Sequence, residues 1–107
     1  MCPMTRRPRT QRRQAERALR KEVAARERLA AAAPGGARDR PLTVTSASVI
    51  EVRARATPCP QCGGELAIEG DAAPPEGGGH LRVVRLSCRR CHAPRELWFH
   101  VQPALPS

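Results

Sequence analysis

Two short stretches, Cys59-Pro60-Gln61-Cys62-Gly63-Gly64 and Ser87-Cys88-Arg89-Arg90-Cys91-His92, decide how this chain folds. In each, two residues separate two cysteines. That spacing bends the backbone so that both sulfurs point at one spot and leaves the following amides free to hydrogen-bond them. Two such turns supply four thiolates, the donor set of a tetrahedral site of the kind zinc prefers, with bonds of about 2.3 Å. The residue after the second cysteine often needs a positive φ; Gly63 takes it at no steric cost, and His92 is among the more tolerant non-glycine types. Four thiolates leave no open position for water or substrate, so such a site folds a domain and catalyses nothing. Cys59, Cys62, Cys88 and Cys91 are therefore the expected ligands of one structural Zn2+, with iron the competing metal for four sulfurs. A thioredoxin-like redox role would need a Cys-x-x-Cys at a helix N-terminus beside a βαβ pattern, which the chain lacks. Cys2 is the odd cysteine.

The residues around these turns alternate. Over residues 48–56, Ile50, Val52, Ala54 and Ala56 fall on one face and Glu51, Arg53 and Arg55 on the other, which predicts a half-buried strand. Residues 65–69 repeat the pattern with Leu66 and Ile68 inward. Two further strands are expected, over 81–87 (Val84 and Leu86, or Leu81 and Val83, inward) and over 96–101 (Leu97, Phe99 and Val101 against Trp98 and His100). Residues 70–79, rich in Gly and Pro, read as a long hairpin loop. The expected fold class is a small metal-stabilised β domain over residues 48–101, of three to four antiparallel strands, carrying an N-terminal basic α-helical arm.

Composition agrees with a fold that leans on metal. The chain has 107 residues, 2% of them aromatic, which excludes a large enzyme fold and supplies too few large side chains for a self-sufficient core. Its formal charge of +9 is uneven: residues 1–40 hold twelve basic and four acidic side chains, whereas residues 41–107 hold seven and six. Of the 19 basic residues only Lys21 is not Arg. Residues 1–9 read as a disordered basic tail and 102–107 as a disordered C-terminus. Residues 10–33, built of Ala, Arg, Glu, Leu and Gln, read as a helix stopped by Pro34-Gly35-Gly36, and 34–47 as a Pro/Gly linker. With Leu19, Val23 and Leu29 its only large aliphatics, that helix is expected to stand as a solvated rod, aided by the i,i+4 pairs Glu16–Arg20 and Glu22–Arg26. Almost no apolar surface would link it to the β domain. Charged residues break up every candidate secretory or membrane segment, so a cytoplasmic protein without a membrane partner is expected.

Cys59-Pro60-Gln61-Cys62-Gly63 followed by Cys88-Arg89-Arg90-Cys91 resembles the zinc ribbon, a small β module of transcription factors, RNA polymerase subunits, topoisomerase tails and ribosomal proteins. The resemblance covers about residues 48–101, and the arm-plus-ribbon order is similar to small zinc-ribbon proteins of high-GC bacteria. Two departures stand out. The 25 residues between Cys62 and Cys88 exceed the usual spacing of roughly 15–20, an excess residues 71–79 can absorb, and His92 stands where many ribbons have Gly. Ribbons contact DNA, RNA and protein alike, so the resemblance implies a binding module without naming its target. It shows no acidic tip like the paired Asp-Glu of transcript-cleavage ribbons.

The resulting expectation is non-catalytic binding to nucleic acid, or to a nucleoprotein machine of the RNA polymerase or ribosome type. Arg6, Arg7, Arg9, Arg12 and Arg13 would neutralise phosphates in a salt-sensitive way, and Arg89 and Arg90, projecting from the second turn, would orient the ribbon. The alternative is a protein–protein adaptor with a purely structural zinc, using Trp98 and the sheet edge. Trp98 and Phe99 are the only aromatics, so a base-stacking platform is not supported. No Ser/His/Asp set, carboxylate pair or open metal site marks an enzyme, and no small-molecule substrate is expected.

Overall fold

A computed structural model of the chain describes residues 8–102. The tail predicted over 1–9, with Cys2, Arg6 and Arg7, falls outside the described residues except for Pro8 and Arg9, and so do residues 103–107. The element order is α1 (Arg9–Ala32), β1 (Leu42–Val44), α2 (Ala47–Ala56), β2 (Leu66–Ala72), a 3-10 turn (Pro75–Gly77), β3 (Leu81–Cys88) and β4 (Pro94–Val101). The strands form one mixed sheet in the order β1-β4-β3-β2, with β2, β3 and β4 antiparallel and β1 parallel to β4.

The two later strands follow the alternation. Leu97 and Phe99 are buried in β4 while Trp98 and His100 are half-buried on the other face, and in β3 Val84 and Leu86 point inward, whereas Leu81, paired with His100, is buried outside that core cluster. β2 buries Leu66 and half-buries Ile68 as expected, but it runs on through Gly70, Asp71 and Ala72, where the sequence suggests loop. An irregularity between Ile68 and Gly70 takes up Glu69 and restores pairing at Gly70–Arg85.

Residues 47–56 correct the expected strand: they are a helix. Ile50 and Ala54 are buried, as the alternating pattern also requires, because a spacing of four satisfies both a period of two and one turn of helix. Val52 decides between them, and it is 67% exposed. Three local features favour the helix: Ala and Arg predominate in its second half, Arg55 pairs with Glu51 at 2.8 Å across one turn, and the Thr57 hydroxyl donates to the Arg53 carbonyl at 2.9 Å. A helix also covers the apolar face of the sheet, which a further strand cannot. Ile50 and Ala54 pack with Val44, Leu66, Val84, Leu86, Leu97 and Phe99, and Cys59 and Cys88 belong to the same buried cluster.

The predicted linker is likewise structured. Leu42–Val44 pairs with Phe99–Val101, and the Gln102 amide donates to the Val44 carbonyl at 2.8 Å. Before it, the chain folds back on the end of α1. The Trp98 amide donates to the Gly35 carbonyl (2.8 Å) and the Arg40 guanidinium to the Ala32 carbonyl (2.9 Å). At Gly36 a Cβ would sit 1.7 Å from the Ala30 carbonyl oxygen, so no side chain fits there.

Phe99, with no exposed surface, is at the centre of this core, and Phe99→Ala is expected to cost about 3–5 kcal/mol in denaturant titration. Val52→Ala should stay within about 0.5 kcal/mol of the parent, whereas an inward Val52 in a strand would cost more.

Candidate metal centre

Both cysteine turns are built alike. The Gly63 amide donates to the Cys59 carbonyl (2.7 Å) and the His92 amide to the Cys88 carbonyl (3.0 Å); the Cys59 amide donates to Gly64 (2.9 Å) and the Cys88 amide to Ala93 (3.0 Å). Gly63 has φ 74° and His92 φ 63°, as their places after the second cysteine predict. α2 delivers the first turn through Thr57-Pro58, β3 ends in Cys88, and β4 starts just beyond the second turn. The Arg89 amide, bonded to the Glu65 carbonyl at 2.9 Å, holds the turns side by side.

The four Sγ atoms of Cys59, Cys62, Cys88 and Cys91 lie within 4.8 Å of one another and can together hold a metal ion. Cys59 and Cys91 are 3.7 Å apart and Cys62 and Cys88 3.4 Å, and all four are free of disulfides. A tetrahedron with metal–sulfur bonds of about 2.3 Å has edges of about 3.8 Å, so the cluster needs little adjustment to close on an ion. The Cys88 sulfur accepts from the Cys91 amide (3.4 Å) and the Arg90 amide (3.3 Å). These bonds, the Cys91 amide foremost, favour the thiolate and hold Cys88 down at about 6, against the opposing effect of burial. Gly64 closes the cage from the side, since a Cβ there would lie 2.9 Å from the Cys88 sulfur and 3.2 Å from that of Cys62.

The remaining predicted site residues are not gathered at one place. Arg9, Arg12 and Arg13 are exposed on the first turns of α1, while Arg89 and Arg90 are exposed on the second cysteine turn. Arg90 also serves the site, with its guanidinium donating to the Cys62 carbonyl at 3.4 Å.

Sequence reasoning missed what lies beside the sulfurs. Gln61, between Cys59 and Cys62, donates from its side-chain nitrogen to the Val23 carbonyl (3.1 Å) and to Glu27 Oε1 (2.8 Å). Arg95 grips the same carboxylate with two bonds, Nη1 to Oε2 at 2.7 Å and Nη2 to Oε1 at 2.6 Å. Arg95 then Gln61 hold the Glu27 carboxyl down at about 2. The arm is therefore not the free rod its composition suggests: the end of α1 is clasped to the cysteine turns by polar groups. The available signal was parity. Arg95 lies on the inward row of β4, with Leu97, Phe99 and Val101, and its side chain is only 10% exposed; a charge on such a row requires a partner.

Among the described residues no helix is long and apolar enough to cross a membrane. Compared with protein-family models, with curated proteins and with solved structures, the chain matches none.

The two glycines of the first turn should separate two effects. Gly63→Ala has open space around its Cβ and meets only the cost of positive φ, about 1–2 kcal/mol in stability. Gly64→Ala must displace a sulfur, and a metal-competition titration should show affinity at least about tenfold weaker, the range seen when groups supporting a ligand are lost.

Proposed function

We propose that this is a non-catalytic zinc-ribbon-like protein that binds nucleic acid, or a nucleoprotein assembly, through α1, with one structural Zn2+ on Cys59, Cys62, Cys88 and Cys91. Four cysteine sulfurs converging within 4.8 Å of one another favour zinc, with iron the alternative ion. They also fill every position of a four-coordinate ion, which supports a structural role.

The observation that carries the nucleic-acid reading is that α1 is formed over its whole length while its first half lies unpacked. Residues 9–22 are all exposed, and carry Arg9, Arg12, Arg13, Arg17, Arg20 and Lys21 against Glu16 and Glu22. Arg9, Arg13, Arg17 and Lys21 recur every four residues and so share one side of the helix. Like charges at that spacing each weaken an isolated helix by about 0.2–0.5 kcal/mol. An anionic partner removes that repulsion, and a row of phosphates is such a partner. The ribbon contributes Arg89 from the tip of its second turn.

A second reading rests on β2, which pairs only with β3 and leaves one edge of the sheet open to an added strand from a partner protein. Anisotropy titrations with generic duplex DNA and RNA separate the two. Binding at low salt should weaken with a log–log slope of about −3, and replacing Arg13, Arg17 and Lys21 together by Gln should reduce that slope by about 2–3. No binding to either nucleic acid at low salt would leave strand addition as the surviving reading. Elemental analysis should find one zinc per chain, lost in Cys62→Ser together with the sheet signal, because structural zinc supplies folding free energy.

A further inference from the structure

The seat of α1 on the rest of the molecule depends on polar groups. Between Ala30 and Ala33 of the arm and Pro58, Pro60 and Leu97 of the sheet module lies a cavity of about 140 Å³, so apolar packing does not fix the helix there. Beyond the Trp98–Gly35 backbone bond just after the helix, its main anchor is one carboxylate. Glu27 is held by Gln61, from between the ligand cysteines of the first turn, and by Arg95, from the start of the strand that leaves the second. The Arg26 guanidinium adds a bond to the Gln61 carbonyl at 3.4 Å. The grip on Glu27 thus needs both turns in register, and their register is set where their sulfurs meet, with Cys62 and Cys88 26 residues apart in sequence.

We infer that α1 reads the state of the metal centre: a bound ion holds Gln61 and Arg95 at the spacing that grips Glu27, and loss of the ion releases that grip, leaving α1 held to the sheet module only through the Trp98–Gly35 bond at its end. The inference rests on the four cysteines binding an ion. Coupling between two sites is reciprocal, so the grip on Glu27 must in turn tighten the ion. That reciprocity makes the inference testable from the arm, 32 residues before the first ligand.

The experiment compares Zn2+ affinity, by competition with a chelating dye, in the full chain, Glu27→Ala, Glu27→Gln and Glu22→Ala. The last makes the same charge change on the free part of the helix. Glu27→Ala is expected to bind Zn2+ about fivefold or more weakly, the lower end of common coupling strengths, Glu27→Gln to fall between it and the parent, and Glu22→Ala to match the parent. Co2+-loaded Glu27→Ala should keep the four-thiolate absorption bands of the parent. In its Zn2+ form, hydrogen exchange should accelerate over residues 26–33 while β3 and β4 stay protected. Equal Zn2+ affinity in all four proteins, or unchanged exchange over 26–33, overturns the coupling alone. Absence of Zn2+ binding by the parent chain overturns both the coupling and the metal reading beneath it.

Discussion

Four sulfur atoms, delivered by two turns far apart in sequence, have to meet at one point, and the rest of the molecule is arranged around that requirement. The sheet ends where the sulfurs begin: Cys88 is the last residue of β3, and β4 starts at Pro94. Cys59 follows α2 and is buried in the same cluster as Phe99, Leu66 and Leu86, so the sulfur site is one end of the core itself. A chain with one Phe, one Trp and no Tyr has little else with which to close that end. Matching amide bonds to Cys59 and Cys88 give both turns the same shape, which is how one backbone solution supplies all four donors.

What was legible in the sequence follows from which features are local. The cysteine spacing, Gly63 and the tolerance of His92 for a positive φ all concern a few neighbouring residues, and the structure agrees with each. β3 and β4 were legible because a side chain on every second residue of an extended chain meets the same layer. α2 was misread because Ile50 and Ala54 fit both periods: the exposure of Val52, which separates them, is a tertiary property, and the local helix signals, Ala and Arg content and the Glu51–Arg55 spacing, were outweighed by the alternation. β1 is three residues long and pairs in parallel with a strand over fifty residues later, and nothing in Leu42-Thr43-Val44 announces that partner. The extension of β2 depends on an irregularity at Glu69 that no alternating pattern can show.

The arm is the more instructive misreading. Judged by aliphatic content, α1 has nothing to dock with, and in that respect the structure agrees: it has no buried residue, and Leu19 and Leu29 stand exposed. Hydrophobic area is nevertheless a guide to how strongly elements attach, and a poor one to where. A bidentate Arg–carboxylate pair with a third bond from Gln61 has directions as well as energy, so it fixes position with little area. Arg95 is shielded enough for its pairing to matter, while Glu27 keeps nearly half of its side-chain surface in water, which keeps the attachment modest.

A modest, directional attachment at one end suits the other end. A backbone bond from Trp98 to Gly35 joins the chain just after α1 to β4, the Arg40 side chain ties the following loop back to Ala32, and the clasp at Glu27 lies little more than a turn before the helix ends. Two fixings that close together set the direction of a helix without covering it. The half bearing Arg9, Arg13, Arg17 and Lys21 is therefore carried outward at an angle chosen by the cysteine turns, with its side chains in solvent. Had α1 carried the apolar stripe of an ordinary packed helix, that basic row would lie beside the sheet and be partly screened by it. The thin aliphatic content that makes the arm a weak contributor to the core is the same property that leaves its charge available.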